Sequence, residues 1–182
     1  FDNRGAGRSS ISDFEYTVAD LAVDAAAVLD ALDIPVVDVF GFSLGGMIAL
    51  HLALNNPSRV QRLVLGCTSA GGALGVYPES DVLLSLSEPS HSGDRRQDFL
   101  DGMWVSLSDR CVKDQPEIVD ALADIAAANP QTPESRMAQL RAVFTHDVSD
   151  RLHEIRIPTL VMHGREDRLI PTANGEQLAS HI

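Results

Sequence analysis

Basic residues are scarce in this sequence. Fourteen Lys and Arg stand against 26 Asp and Glu, a formal net charge of −12. Phosphate binding draws its affinity from clustered cations, and Arg95-Arg96 makes no stripe, so nucleic acid is excluded as a partner. Long apolar runs are also missing: none approaches the ~20 residues that a spanning helix requires, and no membrane is expected. Cysteine occurs only twice, as Cys67 and Cys111, without metal-ligand spacing or a disulfide framework. No metal site is expected, and two lone thiols fit a reducing, cytoplasmic setting. Cys67, just after Leu63-Val64-Leu65-Gly66, reads as a small buried residue at a strand end. There is no internal repeat and no low-complexity tract. What remains is 182 residues with 45% hydrophobic content, enough to bury a core in one globular domain.

The patterning alternates strand and helix. Phe1-Asp2 reads as a strand end, followed by a Gly-rich turn through Ser10. Thr17 and Asp20 stand at capping-box spacing, and Leu21, Ala25, Val28, Leu29 and Leu32 recur at helical intervals, so residues 18–32 are expected as a helix ended by Ile34-Pro35. Val36 to Phe40 is a short apolar run, expected as a strand buried on both faces. A turn at 41–46, an all-round apolar helix at 47–54 and a strand at 60–65 follow. A last strand, 159–162, precedes a helix over 171–182. Such alternation indicates a parallel sheet covered by helices. Roughly ninety residues separate the strands at 60–65 and 159–162, far more than a parallel crossover needs. Helical patterns at 95–106, at 117–128 and from Thr132-Pro133 onward mark this stretch as an inserted helical cap. The expected division is a core of 1–70 with 156–182 and a cap of 71–155.

Two constellations carry chemistry. Gly41-Phe42-Ser43-Leu44-Gly45 matches G-x-S-x-G between a strand and a helix. That context puts Ser43 on a sharp turn at the carboxyl end of the sheet, where open α/β sheets bind ligands. Glycines two residues to either side allow strand and helix to approach. The N–H of Leu44, at the first turn of the helix, is aimed to stabilise an oxyanion. The second constellation, His163-Gly164-Arg165-Glu166-Asp167, follows the last strand. Spacing alone leaves Asp167 open between a triad acid, which fixes a histidine, and a solvated turn aspartate; Glu166 is the weaker candidate.

Together these stretches resemble the α/β-hydrolase superfamily, in its branch of capped serine esterases, lactonases and carbon–carbon bond hydrolases. The resemblance rests on 2–9 (Asp-Asn-Arg-Gly-Ala-Gly-Arg-Ser), 41–47, 56–60 (Asn-Pro-Ser-Arg-Val) and 158–167, in the family's order and near its spacings. It implies an α/β fold with a partial doubly wound parallel sheet, lacking its N-terminal strands and last strand, and Ser43 as nucleophile with Asp167 as triad acid. It also implies that one oxyanion donor precedes Phe1, and that the catalytic histidine follows Ile182. The chain is thus expected to be an internal piece, nearly inactive by itself.

None of the six histidines suits the role of base. His181 shares the helix after Asp167, His163 belongs to the acid's own strand end and His51 to the helix after Ser43. His91 lies in a Ser/Pro-rich loop, while His146 and His153 flank a polar hinge with Asp147 and Arg151. Asp2 and Arg4 are expected to brace the first turn. Phe99, Met103, Trp104 and Phe144 are expected as cap core, with an acyl pocket as the alternative. The function expected is hydrolysis of a small, largely apolar ester, lactone or related acyl compound, with a small-molecule substrate and no metal or organic cofactor. A carboxylate would have to replace Ser43 for dehalogenation. A non-catalytic ligand-binding member of the fold, a cofactor-free haloperoxidase-like enzyme and an acyltransferase remain as alternatives.

Overall fold

The computed structural model describes residues 1–87, 93–129 and 131–182. Three parallel strands, β1 (Val37–Phe42), β2 (Val60–Gly66) and β3 (Thr159–Met162), form a sheet in the order β1-β2-β3. Helix α1 (Val18–Ala31) begins at Thr17, whose hydroxyl accepts the Asp20 N–H while the Asp20 carboxylate accepts the Thr17 N–H. It ends one residue short of the expected Leu32. The chain turns at Asp33, which takes a left-handed conformation (φ 53°), before Pro35 is reached. Helix α2 (Leu44–Asn55) starts three residues earlier than the sequence suggests, since Gly45 and Gly46 are helical. It is buried along nearly its whole length, as its apolar surface requires.

Helix α2 packs on one sheet face, against β1 and β2, where Val39 is paired with Leu63 and Gly41 with Leu65. Leu21, Leu50, Leu63, Leu65, Leu152 and Leu178 are completely buried and centre the core. The opposite face corrects the expectation of strands buried on both sides. Phe40, Phe42, Leu160 and Met162 are each more than half exposed there. Strand side chains alternate between faces, and no helix lies over this one among the described residues.

Between β2 and β3 run α3 (Ser80–Ser87), α4 (Arg95–Gly102), α5 (Asp109–Asp114), α6 (Pro116–Ala128) and α7 (Pro133–Phe144). Helix α7 opens with Thr132 capping the Ser135 N–H and Pro133 in its first turn. The pattern over 95–106 divides into α4 and a 3-10 turn at Met103–Val105. The patterns gave no sign of α3 or α5, which are only two turns or less in length. Helix α8 (Ala173–His181) follows β3. No helix among the described residues is long and apolar enough to cross a membrane.

The first turn is braced as expected. The Asp2 carboxylate accepts the Arg8 N–H at 3.0 Å, and Arg4 makes two 2.6 Å bonds to Asp24. Gly5 and Gly7 have φ of 75° and 51°.

Candidate active site

Ser43 sits between β1 and α2 with φ 52° and ψ −121°, a conformation costing a non-glycine residue about 1–3 kcal/mol. Its backbone is held from several sides. The Ser43 N–H donates to the Gly66 carbonyl at 2.9 Å, and the Ser43 carbonyl accepts the Thr68 hydroxyl at 2.8 Å and the Gly46 N–H at 2.9 Å. This places the elbow at the carboxyl ends of β1 and β2.

The glycines divide their work differently from the motif. A Cβ on Gly41 would clash with the Gly45 carbonyl oxygen, and one on Gly46 would lie 2.5 Å from the Thr68 side chain, whereas Gly45 faces open space. Close approach therefore depends on Gly41 and Gly46. The Leu44 N–H lies in the first turn of α2, where backbone donors have no intrahelical acceptor.

Ser43 stands where two cavities adjoin; both also touch Leu169 and Ile170. The first, about 300 Å³, is lined largely by apolar groups, among them Leu44, Met47, Val76, Leu83, Leu140 and Phe144. It is of a size to take a small molecule. The second brings Ser43 together with Cys67, Cys111, Gly164 and Asp167. Asp167 Oδ1 accepts the N–H groups of Leu169 (3.0 Å) and Ile170 (2.8 Å), and Oδ2 lies 3.7 Å from His163 Nε2. These bonds fix the carboxylate on the loop after β3. Glu166 lines the second cavity beside it but is exposed.

The histidines have other partners. His163 is buried, with Nε2 2.7 Å from the Ile170 carbonyl, so it packs beneath the turn. His181 Nδ1 lies 2.8 Å from the Gln177 carbonyl on α8. His153 is exposed, and His91 lies outside the described residues. His146 is no exposed hinge group: it is buried, with Nε2 3.1 Å from the Ser69 carbonyl and Nδ1 3.3 Å from His51 Nε2. The carbonyl requires a proton on His146 Nε2, so Nδ1 accepts and His51 donates. Burial, reinforced by His51, lowers the His146 pKa to about 4; burial and then Arg151 also lower that of His51. An apolar helix pattern around His51 and a polar hinge beside His146 gave no sign that these residues meet.

Other expectations change as well. Phe144 lines the first cavity, but Phe99 and Met103 line an adjoining groove that shares Leu86, Gln131 and Arg136 with it, and Trp104 stacks under Arg168 at 5.9 Å. Cys67 is half-buried rather than core, with a left-handed φ of 46°. Its Sγ, a His163 nitrogen and an Asp167 oxygen lie within 4.8 Å of one another, a donor set that a metal could use. Burial is the main cause that raises the thiol pKa; a hydrogen bond with the Gly164 backbone opposes it, and the Asp167 carboxylate adds to it. Asn174 is a residue that sequence reasoning missed. Buried at the start of α8, it accepts from the Ser69 hydroxyl (2.8 Å) and Val76 N–H (2.9 Å) and donates to the carbonyls of Val76 (2.7 Å) and Pro171 (3.0 Å). It ties the cavity wall at 69–76 to the Asp167 side of the site. A lone Asn in a polar stretch carries no signal of this.

Comparison with known proteins identifies the fold family. The model of the alpha/beta hydrolase fold family matches residues 1–182. The chain is 30% identical over 183 residues to a putative carbamate hydrolase RutD of Variovorax paradoxus (strain S110), covering all of this chain and 68% of the relative. It is 30% identical over 187 residues to 3-oxoadipate enol-lactonase 2 of Acinetobacter baylyi (strain ATCC 33305 / BD413 / ADP1), covering all of this chain and 66% of that protein. A crystal structure of a hydrolase from Pseudomonas aeruginosa PA01 superposes with a TM-score of 0.79 at 28% identity, over the whole chain and 66% of the other. The chain thus spans about two thirds of these proteins' length. With the Ser43 elbow, the parallel sheet and a family match over every residue, the chain belongs to the α/β-hydrolase fold family.

Proposed function

We propose that the protein is a serine hydrolase acting on a small, largely apolar ester, lactone or related acyl compound. Ser43 attacks the acyl carbonyl, the Leu44 N–H supplies half of the oxyanion hole, and Asp167 orients the histidine that takes the serine proton. None of the five described histidines is placed to be that base. The described ones are bonded elsewhere or exposed, and none is hydrogen-bonded to Ser43. The bond from the carbonyl carbon to the leaving group then breaks, the histidine passes its proton to that group, and water hydrolyses the acyl–Ser43 ester to a carboxylic acid.

One observation carries this reading: Ser43 is held in a strained elbow at the junction of an apolar cavity and the cavity that Asp167 lines. The relatives' names, a carbamate hydrolase and an enol-lactonase, agree with acyl chemistry. Hydrolysis of short p-nitrophenyl esters by the full-length protein tests it. Activity is expected to vanish with Ser43→Ala, and retained activity in that variant would refute the assignment.

A further inference from the structure

Five residues on one face of α7 line the first cavity: Arg136, Gln139, Leu140, Val143 and Phe144. Their spacing of three and four residues makes a single stripe. The stripe is apolar toward its C-terminal end, where it approaches the core, and changes character at its N-terminal end. There Arg136 is the only arginine or lysine in the cavity wall among the described residues. It lies about 10 Å along the helix from Val143, at 1.5 Å per residue.

Arg136 has no carboxylate partner among the described residues. Seven arginines elsewhere are ion-paired in this acid-rich chain. The exposed Arg136 side chain makes one hydrogen bond among the described residues, to the Leu86 carbonyl at 3.2 Å, so most of its fork of donors has no protein partner there. Gln131, beside it in the cavity wall, has a buried Nε2 with no hydrogen-bond partner among the described residues. A buried amide donor is rarely left unpaired. Two donor groups with unused capacity, one of them cationic, thus line the same largely apolar cavity as Ser43.

We propose that Arg136 and Gln131 form a subsite for a carboxylate, so that the preferred substrate is an acyl chain ending in a carboxylate, its apolar middle lying along α7. Guanidinium matches a carboxylate's two oxygens, and the amide donates to one of them. A chain of net charge −12 repels an anion at large, so an anionic substrate needs such a local cation.

This inference rests on the serine-hydrolase reading for its reaction but not for its binding, and two measurements keep them apart. In the full-length protein, kcat/KM is compared for the p-nitrophenyl ester of pentanoate and the mono-p-nitrophenyl ester of glutarate, which have equal chain length. The wild type favours the glutarate ester, and Arg136→Gln lowers that ratio roughly tenfold, mostly through KM, as expected when one charge-assisted contact is lost. Arg136→Lys restores part of it. Calorimetric binding of glutarate against pentanoate to wild type and Arg136→Gln reads the subsite without catalysis. Ester hydrolysis with the same ratio in both proteins, or binding of glutarate no tighter than pentanoate, overturns the subsite. A binding preference that depends on Arg136, without Ser43-dependent hydrolysis, upholds the subsite and overturns the hydrolase reading instead.

Discussion

The buried His51–His146 pair makes stability depend on pH in a calculable way. In the folded chain the His146 pKa is lowered to about 4, burial being the main cause, while in the unfolded chain it stands near 6.5. The unfolded state therefore binds the proton more readily. Stability is fully present above about pH 6.5, is lost as pH falls toward about 4, and levels off below. At 1.36 kcal/mol per unit, the whole loss is about 3 kcal/mol, of which about 2 kcal/mol falls between pH 7.5 and 5.0. His51, lowered in the same direction, adds to it. Carboxylates titrate in part of this range, so the quantity to measure is a difference. Urea unfolding at both pH values is compared for the wild type and for His146→Gln, whose amide can still donate to the Ser69 carbonyl. The wild type should lose about 2 kcal/mol more than the variant on acidification. Equal losses would show that the pair is hydrated or already charged, and the burial argument would fail.

Three further outcomes follow from hydrogen bonding and packing. Asn174→Ala removes four hydrogen bonds and leaves the buried Ser69 hydroxyl and the part-buried Val76 N–H without their acceptor; a loss of about 3 kcal/mol in urea unfolding is expected. Gly41→Ala pushes a methyl group against the backbone of Gly45 and Gly46, which neither can vacate, so a loss of about 2–3 kcal/mol is expected. Gly45→Ala faces open space and should cost less than 0.5 kcal/mol or even stabilise the helix; a cost equal to that of Gly41→Ala would refute the packing account.

What was legible in the sequence follows a physical division. Elements whose cause is local were readable: the Thr17–Asp20 box, the Thr132-Pro133 start of α7, and β3 at Thr159–Met162. The strand–Ser–helix context of Ser43 was readable for the same reason, because a turn between buried elements is written in consecutive residues. Features made by residues far apart in the chain were not. His51 and His146 are 95 positions apart and Ser69 and Asn174 are 105, and no local pattern announces either meeting. Cys67 looked like core because its neighbours are apolar, yet its left-handed turn swings the thiol out toward Asp167. The bare sheet face was invisible for a related reason: an apolar strand run looks the same whether one face is covered or two.

The central claim is that Ser43 is a nucleophile supported by Asp167. A fluorophosphonate, followed by mass spectrometry of its site and rate of attachment to the full-length protein, tests it most directly. A single adduct on Ser43 is predicted, absent in Ser43→Ala and formed at least about a thousandfold more slowly in Asp167→Asn, with slow labelling of the 182-residue chain alone. An adduct on another residue, a rate indifferent to Asp167, or rapid labelling of the 182-residue chain would contradict the account.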